Sequence, residues 1–225
     1  DKNTIIIFAS DNGAALPFAK ASCYLQSHKT PLLIKYPGKK KFVDRTHFLS
    51  GIDMMPTILD MVHAKKLEGM DGYSFLPLLN GEKQPERDHV NVVFHRGHFV
   101  PTEQRAYHSQ KWGYIYNEWR AWEHQRNIEF VADNNVGMFG RAEADSVRAR
   151  KEFYLKRAPE ELYDYENDPF ALHNLAEDPK YRKILWNMRD KMHNWMEATN
   201  DYCGSGYNMY VAQKKREERQ NRIKK

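Results

Sequence analysis

The six residues Thr4-Ile-Ile-Ile-Phe-Ala9 constrain this chain more than any other stretch. Apolar, mostly β-branched side chains without alternation predict a strand buried on both faces, the pattern of a parallel sheet. The run stops at Ser10-Asp11-Asn12-Gly13, a cluster of turn formers. In open α/β sheets ligands sit at the carboxyl ends of the strands, so chemistry can gather at such a turn. Asp11 and Asn12 supply a carboxylate and an amide carbonyl, the oxygen donors that a hard cation takes. The same four residues also make a good turn without any ligand, and on residue chemistry alone that plainer reading leads.

A second run, Pro31-Leu-Leu-Ile-Lys-Tyr36, ends at Pro37-Gly38 and predicts another strand. Met54, Met55, Ile58, Leu59 and Val62 recur at helical spacing, which predicts a helix over Asp53 to Val62. Pro56 fits that helix only in its first turn. Strand, loop, strand, helix is the order of an α/β domain. The polar segment Asn80 to Asp88 marks a boundary, giving domains over 1–84 and 85–206 and a basic tail over 207–225. Past the boundary, Val90 to Phe94, Arg105 to His108 and Trp112 to Asn117 predict short aromatic-rich strands. Trp119 to Ala149 has no clean period and suits loops and short helices. Glu161 to Asp164 predicts a strand end before the turn Asn167-Asp168-Pro169. The firmest helix runs from Pro179 to Thr199, with Asp178 as N-cap and Pro179 at the first position. Its stripe of Tyr181, Ile184, Leu185, Met188, Met192, Trp195 and Met196 is core. Short strands followed by a long helix describe a small α+β domain.

The formal charge of +5 comes from the end of the chain. Between Lys214 and Lys225 stand seven basic and two acidic residues, and the rest is neutral. Such a tail can attract anionic lipid or acidic polysaccharide; a solvated helix end is the simpler reading. Nothing elsewhere interleaves Lys or Arg with aromatics, so nucleic acid is not an expected partner. No apolar run approaches the roughly 18 residues of a membrane span. No signal peptide opens the chain, which taken literally means soluble and cytoplasmic. Cys23 and Cys203 fit neither a zinc site nor a disulfide framework, leaving two buried thiols or one long bridge.

Lys20 lies in the loop between the first two strands, where a lysine can hold an anionic oxygen as a point charge. His28 and Lys29 precede the second strand. His95, His98 and Arg105 occupy the aromatic-rich part and could face a polyanion. Each has a plain structural reading beside the functional one. No G-x-S-x-G, G-x-G-x-x-G or P-loop occurs.

Four landmarks in order resemble the sulfatases of the alkaline-phosphatase-like superfamily: Thr4 to Gly13, Asp53-Met-Met-Pro-Thr-Ile-Leu-Asp60, Asp71-Gly-Tyr-Ser-Phe-Leu-Pro-Leu-Leu-Asn-Gly81, and Glu161-Leu-Tyr-Asp-Tyr-Glu-Asn-Asp-Pro169 with Asn174-Leu-Ala176. Pro17-Phe18, Lys20, Tyr24 and Pro31-Leu-Leu33 are similar to the loop of the N-sulfoglucosamine sulfohydrolases, in which an arginine stands at Lys20. The resemblance implies the C-terminal portion of a doubly wound α/β sheet plus a small α+β domain with a short antiparallel sheet and a long helix. It implies hydrolysis of sulfuric esters or sulfamates on sulfated sugars, first of all N-sulfoglucosamine units of glycosaminoglycans. Asp11 and Asn12 match two calcium ligands, and Lys20 matches the catalytic basic residue at the sulfate. His28, His95 and Arg105 are expected substrate contacts.

The departure from the family pattern is equally specific. The Cys-x-Pro-Ser-Arg motif that yields formylglycine is absent, as is the earlier Asp-Asp metal pair. The expectation is therefore a fragment, inactive alone. A phosphoric-ester or phosphonate hydrolase of the same superfamily and a non-catalytic polysaccharide-binding module are the alternatives. Family habit implies a periplasmic, secreted or lysosomal location, and leaves a homodimer open.

Overall fold

The computed structural model describes residues 2–97, 100–121 and 144–223. In chain order its elements are strand β1 (Ile6–Ala9), helix α1 (Leu25–His28), β2 (Leu32–Lys35), α2 (Met54–Met61), α3 (Leu76–Leu79), β3 (His89–Gly97), β4 (Val100–Ser109) and β5 (Trp112–Asn117). Then follow α4 (Glu118–Ala121), α5 (Asp145–Lys156), β6 (Glu160–Asp164), α6 (Arg182–Ala198) and α7 (Gly204–Ile223). Two compact units result. The first is Asp1–Ser10 with Pro31–Val90, and the second is Asp11–Thr30 with Asn91–Lys225. This division differs from a cut at residue 84 chiefly in placing the loop after β1 with the C-terminal unit.

In the first unit β1 pairs with β2, antiparallel, with Ile7 opposite Ile34. This corrects the expectation of a parallel strand buried on both faces. Two strands cannot cover both of their own faces, and Ile6, Phe8 and Leu33 are exposed. Helix α2 is corrected in the same sense. Its apolar residues Met55, Ile58 and Val62 face outward. The inward side carries Pro56, Thr57 and Met61, beginning from the buried Asp53. Thr57 donates through Oγ1 to the carbonyl of Asp53 (2.6 Å) and accepts from the amide of Phe75 (3.0 Å). That bridge ties α2 to the segment before α3.

The second unit is built on the sheet β3-β4-β5-β6. Strands β4, β5 and β6 pair antiparallel, with Tyr107, Tyr114 and Leu162 in one cross-strand row. Side chains alternate between faces along a strand, and here both faces are buried. One face, with Tyr107, Tyr114, Tyr116 and Leu162, packs against Leu185, Met188, Met192 and Met196 of α6 and Tyr207 and Tyr210 of α7. The predicted stripe is thus core, and Asp178 caps the turn before α6 by accepting from the amide of Lys180 (2.9 Å). The basic tail is not separate: α7 starts at Gly204 and buries Tyr207 and Tyr210 before reaching its lysines. Most of the stretch from Trp119 to Ala149, together with His98, lies outside the described residues.

Candidate functional site

The loop after β1 closes on itself. The amide of Gly13 donates to the carbonyl of Ser27 (3.0 Å). A Cβ on Gly13 would collide with the carbonyl oxygens of Ala19 and Gln26, so only glycine lets these segments meet. Just before it, Asp11 is exposed, and its Oδ1 accepts from the amide of Asn12 (3.0 Å). Asn12 donates through Nδ2 to the carbonyl of Gly13 (3.1 Å), which leaves its oxygen turned the other way.

A carboxylate and an amide oxygen suit a hard cation, but calcium takes about six to eight oxygens. Among the described residues no group of three or more His, Cys, Asp or Glu could hold a metal. Asp11 and Asn12 therefore fit as part of a calcium shell and not as a whole one.

Lys20 is half-buried, and among the described residues it makes no hydrogen bond or ion pair. It stands between Phe18 (φ 65°) and Ala21 (φ 54°), both in the left-handed region. For residues other than glycine each such conformation costs about 1–2 kcal/mol, and surrounding contacts must hold it. Phe18 supplies one anchor, its ring edge-on to Tyr24 and to Tyr154 (4.9 Å each) with the Arg150 guanidinium 3.8 Å above. Ser27 supplies another, its hydroxyl 2.7 Å from that of Ser22. His28 is exposed over much of its surface, but its ring turns a partly buried edge inward, with Nε2 donating to the carbonyl of Ser22 (2.7 Å); burial of that edge lowers its pKa, against that hydrogen bond.

The second face of the β4-β5-β6 sheet lies under this loop. It carries the buried polar residues Gln104, His108, Asn117 and Glu161. Tyr24 donates to Glu161 Oε2, which also accepts from Tyr163 (2.6 Å), while Oε1 accepts from Asn117 (2.7 Å). Burial, then the Glu161 carboxylate, pushes the Tyr24 hydroxyl well above its ordinary pKa, so it stays a donor. No local motif in the sequence marks this row as part of a site. Polar residues at 104 and 108 flanking Ala106 on one face were its visible signal.

Arg105 points to the opposite face and is fully buried. It donates to Asp201 (2.8 and 3.2 Å), Glu103 (3.0 Å), the carbonyl of Gln104 (2.9 Å) and Cys203 Sγ (3.3 Å). All five guanidinium hydrogens are thereby used within the protein. Burial alone would lower its pKa; the Asp201, Tyr202 and Glu103 bonds raise it instead. His95 is exposed and lies 2.9 Å from the Tyr202 hydroxyl. Asp11, Asn12 and Lys20 thus lie on the segment after β1 and His28 at the end of α1, while His95 and Arg105 stand around Tyr202. Cys23 and Cys203 are free, buried thiols. Burial raises both pKa values, that of Cys203 to about 12, so neither is a poised nucleophile.

The first unit holds a two-stranded sheet with short helices, and the second a four-stranded sheet covered by long helices, a fold shared with solved sulfatases of the alkaline-phosphatase-like class. The family model for N-sulphoglucosamine sulphohydrolase, C-terminal, matches residues 16–123. An ulvan-active sulfatase of Formosa agariphila is 30% identical, covering 88% of this chain and 38% of its own. The N-sulphoglucosamine sulphohydrolase of Homo sapiens is 26% identical, covering 88% and 42%. The solved structure of a 2-O GAG sulfatase superposes with a TM-score of 0.64 at 24% identity, over 89% of this chain and 37% of that one. Over most of its length this chain is similar to the C-terminal region of sulfatases. It spans roughly two fifths of the length of the relatives it matches.

Proposed function

We propose that this chain supplies the C-terminal part of a sulfatase site acting on sulfated sugars, with N-sulfoglucosamine units as the first substrate to test. The observation that supports this is the closure of the loop at Gly13, next to Asn12, against the backbone of Ala19, next to Lys20. Calcium bound in part by Asp11 and Asn12 would neutralise charge on the sulfate oxygens. Lys20 would offer an ammonium to the same anion, from a backbone flanked by the left-handed Phe18 and Ala21. Negative charge spreads over the sulfate oxygens as the bond to sulfur breaks, so a preorganised cation at this edge favours the transition state. The chain holds no Cys-x-Pro-Ser-Arg motif to provide the nucleophile, so it does not turn over substrate alone.

Location follows from the same reading. A sulfatase of exported polysaccharide works outside the cytoplasm or in the lysosome. Among the described residues no helix is long and apolar enough to cross a membrane.

The test is sulfate release from N-sulfoglucosamine and from an O-sulfated sugar. The chain alone should give none. Joined to the nucleophile-bearing region of a relative it should release sulfate, lose activity on calcium chelation, and lose at least about a hundredfold with Lys20→Ala. Full turnover by the chain alone would refute the reading. So would turnover of phosphonate esters in preference to sulfates.

A further inference from the structure

The loop that carries Lys20 is bonded to the sheet through the Tyr24 hydroxyl, through the Cys23 thiol and, nearest to Lys20, through both ends of the Cys23 peptide group. The amide of Cys23 donates to Gln104 Oε1 (3.0 Å), and the carbonyl of Cys23 accepts from His108 Nε2 (2.9 Å). Gln104 and His108 stand four residues apart on β4, which puts both on one face of the sheet. Both are fully buried, as is Cys23. The Cys23 carbonyl can only accept, so the neutral ring carries its proton on Nε2, and Nδ1 accepts the hydroxyl hydrogen of Tyr165 (2.7 Å). Tyr165 gets there across Gly113, where a Cβ would collide with its ring and hydroxyl. Lys20 therefore lies between two fixed points. On one side is Phe18, held in its aromatic setting; on the other is the Cys23 peptide, held at both its N–H and its C=O. Between them the backbone keeps Ala21 in the left-handed region, which persists only where contacts over-determine it.

We infer that Gln104 and His108 are positioning residues for Lys20: by pinning the Cys23 peptide from β4 they set where its ammonium can meet an oxyanion. The inference rests on Lys20 as the sulfate contact, but the clamp itself can be tested without any sulfate.

The readouts are the rate at which an acetylating reagent labels Lys20, followed by mass spectrometry on the whole chain, and amide exchange over residues 19–25. Gln104→Met removes the acceptor for the Cys23 amide while keeping the shape. His108→Leu removes the donor to its carbonyl. Each should raise exchange at Cys23 by roughly tenfold, the scale of one hydrogen bond, and speed labelling of Lys20 severalfold. His108→Gln, which restores an N–H donor, should bring both back toward the wild-type values. Tyr114→Phe, a lost hydroxyl on the opposite face of the sheet, should move neither. Faster Cys23 exchange with unchanged Lys20 labelling in Gln104→Met would overturn the inference. An equal effect of Tyr114→Phe would do the same. Gln104→Met decides the point even where His108→Leu does not fold. Titration with inorganic sulfate, with and without Lys20→Ala, separately tests the reading of Lys20.

Discussion

Asp53 and Arg87 form the buried centre of the first unit, with Nη1 of the arginine 2.7 Å from Oδ2 of the aspartate. Neither charge is left with one partner only. Asp53 also accepts from the amides of Ser50 (2.9 Å) and Tyr73 (3.0 Å). Arg87 also donates to Gln84 (2.8 Å) and to the carbonyl of Tyr73 (2.6 Å), with its guanidinium 3.8 Å from the Tyr73 ring. Removing one member of such a pair strands the other charge without water and costs about 3–5 kcal/mol. Asp53→Ala should therefore lose protection at the amides of Tyr73 and Phe75 in hydrogen exchange, with β5 and β6 little changed. Uniform loss across the chain would contradict a role confined to this unit.

Glu160 and Arg189 repeat the device in the second unit. The guanidinium meets the carboxylate twice, at 2.5 and 3.0 Å, and Tyr114 and Tyr210 donate to the same carboxylate at 3.1 Å. Glu160→Ala should cost about 3–5 kcal/mol in urea unfolding followed by tryptophan fluorescence. Replacing both by methionine should recover most of that loss, because no unpaired charge remains. A double variant as unstable as the single one would show that the tyrosine bonds, not the ion pair, dominate.

These two pairs mark what could be read from the chain in advance. The helical stripe from Tyr181 to Met196 was legible because a period of 3.6 survives any tertiary context that buries one side. The short aromatic strands were legible for the same kind of reason. Asp53 was visible as part of a family landmark, but its partner Arg87 lies 34 positions away, a distance no local pattern spans. Helix α2 misled because its inward side is held by Asp53 and Thr57, polar groups that hydropathy places outside. In the candidate site, Asp11, Asn12 and Lys20 stand out only through the family landmarks around them, because by residue type a plain turn and a solvated lysine read better. The residues beneath them do not: Gln104 and His108 look like ordinary strand polars until the fold brings Cys23 to them.

Gly13 closes the loop of the candidate site at the level of single atoms. Gly13→Ala places a methyl against two backbone carbonyls, and backbone cannot swing aside as a side chain can. Overpacking of this kind costs about 1–3 kcal/mol. The expected result is faster exchange at the Gly13-to-Ser27 closure with the α6 core unchanged and, under the proposed calcium reading, weaker calcium binding by calorimetry once the chain is joined to the nucleophile-bearing region of a relative. Calcium affinity equal to wild type would separate the Asp11–Asn12 pair from loop closure.

His108 also gives the stability of the second unit a definite pH dependence. Burial pushes its pKa from 6.5 down to about 4, with the hydrogen bond to Cys23 opposing and His28 adding to the fall. The groups facing it are the Tyr165 hydroxyl, the Cys23 carbonyl and, at longer range, His28. The folded chain therefore keeps this ring neutral over a range in which the unfolded chain binds a proton. Stability from this residue is complete above about pH 6.5 and is lost as pH falls toward 4. A difference of this size corresponds to about 3 kcal/mol at full extent. Urea unfolding between pH 6.5 and 5 should show a falling stability in the wild type and a shallower fall in His108→Gln, since glutamine does not titrate. His28 shifts in the same direction and remains in both proteins, so the difference between the two slopes isolates His108. Equal slopes would mean that the ring is already charged in the folded protein, and with both nitrogens protonated it could no longer accept the hydroxyl hydrogen of Tyr165.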